Sequence, residues 1–530
     1  MKQTRKAAEL AAVERFTEAP NRFGAHRIAL GFPNSYEIGM SNLGFQWVYR
    51  LFNRIPDLVC ERFFHEPGEP AVTLETGTPL ADFGLLAWSL SWEMDIVNIL
   101  ASLAAAGIPP RRGERDERHP LILVGGDIAR LNPSALTEFV DVFALGDGER
   151  LVPRIADLIS SGLSRDQFLE SASRLPGFFV PAVQGLRAEG AESGKIVIQQ
   201  PMSRHEITPA FEVPHSTILT PRTELADKLL IEISRGCTEM CRFCWAAYAM
   251  APIKQYPAAS ILKVAREARP LTDRAGLIAT AVCDHPEITA ILQGLASLGY
   301  HIALSSIKID AIEDPILEVL ARQGERALAI APEAGNERLR RHINKKVSDE
   351  MLREKVRMIF ARGFTRLKLY VQVGLPSETE EDVRDLVRLV EDLHAIAVSE
   401  GRRRGRVAQI VPSVNAFIPK PHTPYENQSL ADEDYLKRQL AYLQSAFERM
   451  DNVVFRGMSV NESIWEAYLA KMDESGADIL EEAASGVPVR RLIKTHRDRI
   501  AAVIRPESSA ASPGLPPSTS TAPWSFISKR

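Results

Sequence analysis

Cysteine is scarce in this sequence, and its scarcity limits the class of protein. The chain has five cysteines among 530 residues, which excludes a fold held together by disulfide bonds. Apolar runs are short, and none reaches the length of about 18 residues that a membrane-spanning helix requires. The N-terminal residues 1–9 are charged and lack the apolar segment of a signal peptide. These absences predict a soluble, cytoplasmic protein that does not enter the membrane.

A strong net charge is also missing. The formal net charge is −4, so the chain offers no overall basic surface for nucleic acid. Near the C-terminus a basic cluster lacks the interleaved aromatic residues that stack on bases, and it predicts a solvated helix face better than an RNA site. Its members are Arg490, Arg491, Lys494, Arg497 and Arg499. Nucleic-acid binding is therefore not supported, and a local patch stays an open alternative.

Three of the five cysteines lie close together. Cys237, Cys241 and Cys244 have the spacing C-x3-C-x2-C. Three thiolates can ligate three irons of a [4Fe–4S] cluster and leave the fourth iron open, whereas an electron-carrying cluster normally has four Cys ligands and a structural zinc site closes with a fourth Cys or His. Cys283 and His285 follow later in the chain. A Cys3His zinc site and three unligated structural cysteines therefore stay open as alternatives.

Strand and helix patterns alternate in the first part of the chain, from about residue 26 to 160. Candidate helices cover 42–55 and 94–106. Candidate strands cover 26–33, 83–89, 121–125 and 142–145. This alternation of strands and helices predicts a doubly wound parallel sheet. Such sheets bind ligands at the carboxyl ends of their strands. The glycine-rich loops 125–127 and 146–149 follow two of these strands.

The alternation resumes from Lys228 with longer repeats. Six candidate strands, each followed by room for a helix, cover 229–234, 277–282, 301–306, 326–331, 366–373 and 407–417. Six such units predict a partial (β/α)6 barrel. The cysteine run directly follows the first of these strands, at the edge where α/β barrels place their chemistry. The fold class is therefore α/β, with the N-terminal sheet followed by this barrel and by a helical C-terminal region.

The cysteine run resembles that of the radical SAM superfamily, in which the open iron binds the amino and carboxylate groups of S-adenosylmethionine (SAM). The stretches 36–44, 123–133 and 139–149 are similar to the cobalamin-binding-type domain that precedes the barrel in some members. The similarity covers most of residues 26–425 and is closest to an uncharacterised bacterial branch. It implies a [4Fe–4S] cluster, SAM, and an electron donor such as flavodoxin or ferredoxin.

Cobalamin is a possible further cofactor, because the N-terminal stretches resemble a domain type that binds it. The Asp-x-His-x-x-Gly motif, which supplies a lower cobalt ligand in many cobalamin proteins, is absent. His26, His65 and His119 stand in no such setting. Any bound cobalamin is therefore expected to lack a histidine ligand from the protein.

The resemblance also indicates where SAM would be contacted. After the fourth barrel strand, Glu333 is expected to accept hydrogen bonds from ribose hydroxyls, and Gly335 to permit a close backbone approach. After the fifth strand, the run 374–382 resembles the Gly-x-x-x-Glu signature, so Gly374, Pro376 and Glu378 are expected to border the adenine pocket. A helix cap within the same run is compatible with this role.

Three further basic residues and a histidine are weaker candidates. Arg340 or Arg341 could neutralise the methionyl carboxylate, with a solvated helix face as the alternative. Lys420 and His422 lie in the proline-rich segment after the sixth strand, where they could face the site or belong to a structural crossover.

The predicted domain boundaries follow these patterns. An N-terminal domain covers 1–160, a connector 161–223, the barrel 224–425, a helical region 426–504 and a disordered tail 505–530. The connector contains a candidate hairpin strand at 195–199, and the helical region contains candidate helices over 432–450 and 462–484. The predicted function is reductive cleavage of SAM to a 5′-deoxyadenosyl radical that acts on an unknown substrate. Cobalamin-dependent methyl transfer, radical modification of RNA and a non-catalytic or zinc-binding scaffold are the alternatives.

Overall fold

The computed structural model describes residues 5–185, 212–250, 252–304 and 307–506. A hairpin strand predicted at 195–199 and nearly all of the predicted disordered tail lie outside the described residues. The domain boundaries stay predictions.

A six-stranded sheet forms the N-terminal part of the fold. Its strands, in spatial order, are Leu58–Phe64, His26–Phe32, Leu85–Ser89, Leu121–Gly125, Val142–Ala144 and Phe178–Phe179. The first five run parallel and the last pairs antiparallel. The strand Leu58–Phe64 was not predicted, because the charged pair Glu61 and Arg62 interrupts its apolar pattern. Both side chains are buried, and Arg62 is compensated by Glu14 at 2.7 Å.

Helices cover both faces of this sheet. Ile28 and Leu30 face a core that includes helices Leu43–Asn53 and Gly148–Ser160. Ala29 points to the opposite face, whose core includes helix Ile96–Ala105 and continues into the barrel. Successive strand residues face opposite sides of a sheet, so one strand serves both cores. The predicted doubly wound sheet is confirmed.

The barrel consists of two parallel sheets. The first contains strands Leu229–Glu232, Arg274–Ile278 and His301–Leu304, and the second contains Ala327–Glu333, Arg366–Val373, Gln409–Ala416 and the short Arg456–Gly457. Between the two sheets the Ile307 N–H donates to the Ala329 carbonyl at 2.9 Å. Six strands are present in the predicted order, which confirms the partial barrel. The second was predicted at 277–282 but begins earlier, at Arg274, and ends at Ile278.

The helices between the barrel strands are Trp245–Ala249, Ala258–Ala268, Ile288–Ser297, Asp314–Arg322, Glu337–His342, Asp349–Ala361 and Glu380–Arg404. The C-terminal helices are Glu433–Phe447, Val460–Lys471, Ala477–Ala484, Val489–Thr495 and Arg497–Ile504. One continuous helix was expected over 462–484. It is interrupted at Asp473, whose carboxylate accepts the Ser475 N–H at 3.0 Å and starts a new turn. Within the described ranges, no helix is long and apolar enough to cross a membrane.

Smaller elements complete the fold. The other short helices are Arg5–Ala11, Tyr36–Gly39, Asp127–Leu131, Arg165–Ser173 and Pro181–Gln184. Two-stranded ribbons pair Arg15–Phe16 with Ile218–Leu219, and Ser234–Arg235 with Lys254–Gln255.

A buried ion triad joins three regions of the chain. The Lys420 ammonium contacts the carboxylate of Glu93, beside the N-terminal sheet, and lies 2.9 Å from Glu466 on a C-terminal helix. All three side chains are mostly buried, so the charges compensate one another. Lys420 therefore has a structural role, since it joins the crossover segment to Glu93 and Glu466.

Candidate functional site

The cysteine loop begins with a sharp turn of the backbone. It follows strand Leu229–Glu232 and the short strand Ser234–Arg235. Gly236 has a φ of +94°, and a Cβ added there would lie 2.7 Å from the carbonyl oxygen of Met250. Only glycine meets both conditions without strain. The turn places the following thiols at the carboxyl end of the first barrel strand.

All three thiols are unbonded and at least half-buried. Burial raises the pKa of Cys241 to about 12. Burial also raises the pKa of Cys244, while hydrogen bonds from the N–H groups of Ala246 and Ala247 lower it. A third N–H, that of Glu239, lies 3.5 Å from the Cys237 sulfur. Buried thiols with N–H donors suit thiolates whose charge a bound metal compensates, so the residues fit an iron–sulfur cluster.

His285, the histidine of the Cys3His zinc alternative, is bonded to other groups. The Nε2 atom of His285 lies 2.8 Å from the Tyr256 carbonyl, and its Nδ1 accepts the Glu287 N–H at 3.1 Å. Both ring nitrogens are therefore occupied by backbone groups. In the part of the chain that the structure describes, no three His, Cys, Asp or Glu side chains converge on a single ion. A cubane cluster does not require such convergence, because each thiolate binds a different iron.

The segment after helix Glu337–His342 fixes the cysteine loop. The Asn344 side chain donates to the Met240 carbonyl at 2.9 Å, and the Arg242 N–H donates to the Ile343 carbonyl at 3.0 Å. Tyr248 donates its hydroxyl to the Met240 carbonyl as well, at 2.9 Å. The fourth βα unit thus holds the loop that follows the first strand.

Glu333 lies beside the thiols at the end of the fourth strand. Its Oε2 accepts from Gln372 at 2.9 Å, and its Oε1 lies 3.5 Å from the Lys345 ammonium. Burial raises the pKa of Glu333, and its charge in turn raises the pKa of Cys241. Its φ of +69° is uncommon for a side chain of this size and is typical of strained functional positions.

Lys345 and Gln372 were not predicted as site residues. Lys345 stands in the basic run 340–346, where nothing in the sequence distinguishes it from its neighbours. Gln372 lies on the less buried side of strand Arg366–Val373, as Arg366 and Lys368 do, so the alternation does not distinguish it either. The structure brings both to Glu333.

Gly335 and Gly374 have packing reasons for lacking a side chain. A Cβ on Gly335 would lie 2.2 Å from the Leu386 backbone nitrogen, and one on Gly374 would lie 2.7 Å from the Ala431 Cβ. Gly374 also has a φ of +79°. Contacts of these positions with a cofactor would therefore involve their backbone groups.

Glu378 closes the loop after the fifth strand. Its Oε1 accepts the Gly374 N–H at 2.6 Å and the Tyr435 hydroxyl at 2.9 Å. Burial raises its pKa to about 7 although both hydrogen bonds favour the charged form. Pro376 lies within the turn that this contact closes, and Thr379 caps the next helix. The cap expected in this run is present, and it lies directly after the loop.

Arg340 and Arg341 occupy different surroundings. Arg340 is fully buried and donates to the carbonyls of Ala334 and Val347, at 3.0 and 2.8 Å, and to the Asp349 carboxylate. Arg341 is exposed and pairs with Glu337. Arg340 therefore fixes the backbone around the site, and Lys345 is the cation closest to Glu333 among the described ion pairs.

A cavity of about 360 Å³ lies between the carboxyl edge of the N-terminal sheet and the barrel, and we call it the edge cavity. The glycine-rich loops 125–127 and 146–149 line one side, and Glu232, Ser234, Arg235 and residues 278–280 line the other. Arg235 crosses the boundary, with nitrogens 2.8 Å from Asp147 and 3.1 Å from Glu149. Although burial opposes ionisation, Arg235 and Lys254 lower the pKa of Asp147 to about 2.

Comparison with protein families gives two matches. Residues 44–181 match the family described as radical SAM proteins, N-terminal, and residues 231–390 match the radical SAM superfamily. The chain therefore contains radical SAM superfamily domains, and it is a radical SAM enzyme. Members of this superfamily use a [4Fe–4S] cluster and SAM.

Two curated relatives are similar to the chain. An uncharacterized protein of Methanocaldococcus jannaschii is 24% identical over 89% of this chain and 94% of its own length. The ribosomal protein uS12 methylthiotransferase RimO of Anaeromyxobacter sp. is 26% identical over 61% of this chain and 72% of its own.

Among solved structures, the cobalamin-dependent SAM radical enzyme OxsB with aqua-cobalamin and SAM bound has a TM-score of 0.49 and 12% identity, over 91% of this chain and 72% of that one.

The raised pKa of Glu378 predicts a pH dependence of stability. The folded-state pKa of about 7 lies above the ordinary value of 4.5, so the native state binds more protons than the unfolded chain between these values. Stability contributed by the protonated group is therefore lost as the pH rises through this window. As the pH rises through this window, the free energy of unfolding should fall by about 1–3 kcal/mol less in Glu378→Gln than in the parent.

Urea unfolding at several pH values between about 5 and 8 measures the effect. The matched control is Glu380→Gln, which changes an exposed carboxylate two residues away and should keep the parent's pH profile. Identical pH profiles for Glu378→Gln and the parent would contradict the assignment.

Proposed function

We propose that this protein cleaves SAM reductively at a [4Fe–4S] cluster held by Cys237, Cys241 and Cys244, and that the product radical acts on a further substrate. The proposal rests mainly on the position of three free thiols. They lie on the loop that follows the turn at Gly236, beside Glu333 and Lys345. When bound, such a cluster supplies one electron to the sulfonium of SAM, which gives methionine and a 5′-deoxyadenosyl radical. A flavodoxin or ferredoxin would supply the electron.

The side chains around the loop suit the polar groups of SAM. Glu333 can accept hydrogen bonds from the ribose hydroxyls or from the methionyl ammonium, and Lys345 can pair with the methionyl carboxylate. Gln372 holds Glu333 in place. The backbone at Gly335 and Gly374 and the closed turn containing Pro376 and Glu378 would border the adenine.

The cluster assignment predicts the iron content of cysteine variants. Anaerobically reconstituted parent protein should bind about four irons and show a reducible cluster. Cys241→Ala should lose the cluster and keep the fold, because the thiol is one of only three protein ligands. Iron and sulfide analysis, with circular dichroism for the fold, measures both.

Cys283→Ala is the matched control, since Cys283 is also largely buried and its pKa is likewise raised to about 12. It should retain the iron of the parent. Zinc in place of iron, or full iron in Cys241→Ala, would contradict the proposed cluster.

The position of Glu333 predicts a specific loss of SAM affinity. Glu333→Gln preserves the size of the side chain at its positive φ and removes the charge. It should weaken SAM binding to the cluster-loaded protein by about 1–3 kcal/mol without loss of iron. Calorimetry measures the affinity. Glu337→Gln, four residues further on at the start of a helix, should bind SAM as the parent does. Equal affinities for all three proteins would return Glu333 to a structural role.

Cobalamin-dependent methyl transfer is a second candidate function, and the edge cavity is the observation that favours it. The cavity lies at the sheet edge where doubly wound folds bind ligands, and its glycine-rich loops admit a close approach. It contains no histidine among its lining residues. A whole corrin exceeds a cavity of about 360 Å³, and the ion pair between Arg235 and Asp147 is part of its lining. Only part of a cobalamin therefore fits this cavity.

Cobalt analysis after reconstitution with hydroxocobalamin tests this candidate. If cobalamin binds, paramagnetic resonance of the Co(II) form should show no nitrogen splitting from histidine, since no lining residue supplies an imidazole. Absence of stoichiometric cobalt in cluster-loaded protein would remove methyl transfer from consideration.

A further inference from the structure

The edge cavity contacts the segment that carries the cysteine loop. Arg235 and Met250 both line it, and these residues flank the loop on either side. The Met250 carbonyl is also the group that Gly236 approaches. A molecule bound in the cavity would therefore lie beside the elements that position the thiols.

The cavity walls are mostly apolar. Trp47 and Val48 contribute from helix Leu43–Asn53, and Leu151 and Ile155 contribute from helix Gly148–Ser160. Its volume of about 360 Å³ falls within the range of about 300–1,000 Å³ in which proteins bind small molecules. The body of a suitable ligand is therefore apolar and of modest size.

Most of the charges at the cavity are already paired. Asp147 and Glu149 contact Arg235, as does Glu232 at 2.7 Å, and the Lys254 ammonium contacts Asp147. Each of these groups has an oppositely charged partner, and together the three carboxylates and two cations carry a net charge of −1. We call these five groups the paired network.

Asp127 and Arg130 do not belong to the paired network. Both line the cavity one helical turn apart, and within the described ranges neither forms an ion pair. Arg130 is only 8% exposed, and its Nε has no hydrogen-bond partner. The hydroxyl of Ser234, which is 2% exposed and also lines the cavity, has none either. Buried polar atoms are nearly always paired with protein or water, so these two atoms are available to a ligand or a water in the cavity.

We propose that the edge cavity binds the substrate of this enzyme, a small molecule with an apolar body and a polar head that both donates and accepts hydrogen bonds, as an amide or an amino acid does. The inference rests on the proposed function, because it assigns the substrate class of that reaction. Asp127 accepts a hydrogen bond from the donor group of the head, and Arg130 donates one to its acceptor group.

The charges at the cavity select against other heads. Asp127 and Arg130 carry opposite charges, so a head that is neutral overall pairs with both. An anionic head leaves Asp127 without a donor, and a cationic head leaves Arg130 without an acceptor. Each mismatch leaves one of the two charges without a partner and weakens binding.

Four probes with one phenyl ring and different heads test the proposal. They are phenylalanine, 3-phenylpropanamide, 3-phenylpropanoate and phenethylamine, and their binding to the full-length, cluster-loaded protein is measured by saturation-transfer NMR titration. Phenylalanine and the amide should bind at least ten-fold more tightly than the anion and the cation. Equal binding of all four probes, or binding of none, overturns the proposal.

Variants locate the binding site. Asp127→Asn and Arg130→Gln should each weaken phenylalanine at least ten-fold. The matched controls are Asp166→Asn, an acid in the first turn of another short helix of the same half, and Arg174→Gln, an exposed arginine. Both should bind phenylalanine as the parent does. Thermal melting identifies any variant that fails to fold, and Asp127→Asn keeps the test valid if Arg130→Gln does, because Arg130 also donates to the Ala249 carbonyl at 2.6 Å.

Two further outcomes separate this inference from its premise. Probe binding requires neither iron nor SAM, so retained selectivity in protein that binds no iron overturns the proposed cluster alone. Intact iron and SAM binding without probe selectivity overturns the substrate pocket alone. If hydroxocobalamin binds stoichiometrically and displaces phenylalanine, the cavity belongs to that cofactor and the substrate assignment is wrong.

Discussion

The buried guanidinium of Arg235 is the interaction on which the arrangement of this enzyme depends. It pairs with Asp147 and Glu149, which follow a strand of the N-terminal sheet, and with Glu232 at the end of the first barrel strand. A buried arginine without these carboxylates would carry a large desolvation cost, so the two halves are held in one relative position. The next two residues are Gly236 and Cys237. The position of the proposed cluster is therefore set partly by a part of the chain that contributes no thiol.

Buried charge has the same organising role elsewhere in the fold. Arg62 fixes the N-terminal segment to the sheet through Glu14, Arg340 fixes the backbone around Glu333, and Lys420 joins the crossover segment to both halves. Replacement of such pairs by apolar side chains is often neutral for stability, so their value lies in specifying one geometry. A radical enzyme requires that geometry, because a reactive product must be formed close to its substrate and away from water.

The glycines and carboxylates of the SAM region illustrate how two roles coincide. Gly335 and Gly374 lack side chains because neighbouring helices pack against them, and Glu378 closes its own loop through the Gly374 N–H. These packing roles are compatible with the proposed position of the same residues beside the adenine of SAM. In the proposed site they would hold the loops that border the adenine. Asp127 and the Nε of Arg130 are different, since neither forms an ion pair or hydrogen bond within the described ranges, although another nitrogen of Arg130 donates to the Ala249 carbonyl.

The sequence by itself determined the repeating pattern and the spacing of the thiols. Strands with apolar alternation and cysteines separated by three and two residues are local features, so the six barrel strands and the cysteine loop could be predicted from the sequence. Strand Leu58–Phe64 could not be predicted, because its charged residues are compensated by partners distant in sequence. Lys345, Gln372 and the edge cavity depended in the same way on contacts between separate βα units. Only the tertiary structure decided which charges are paired, because a charge acquires its partner only when the chain folds.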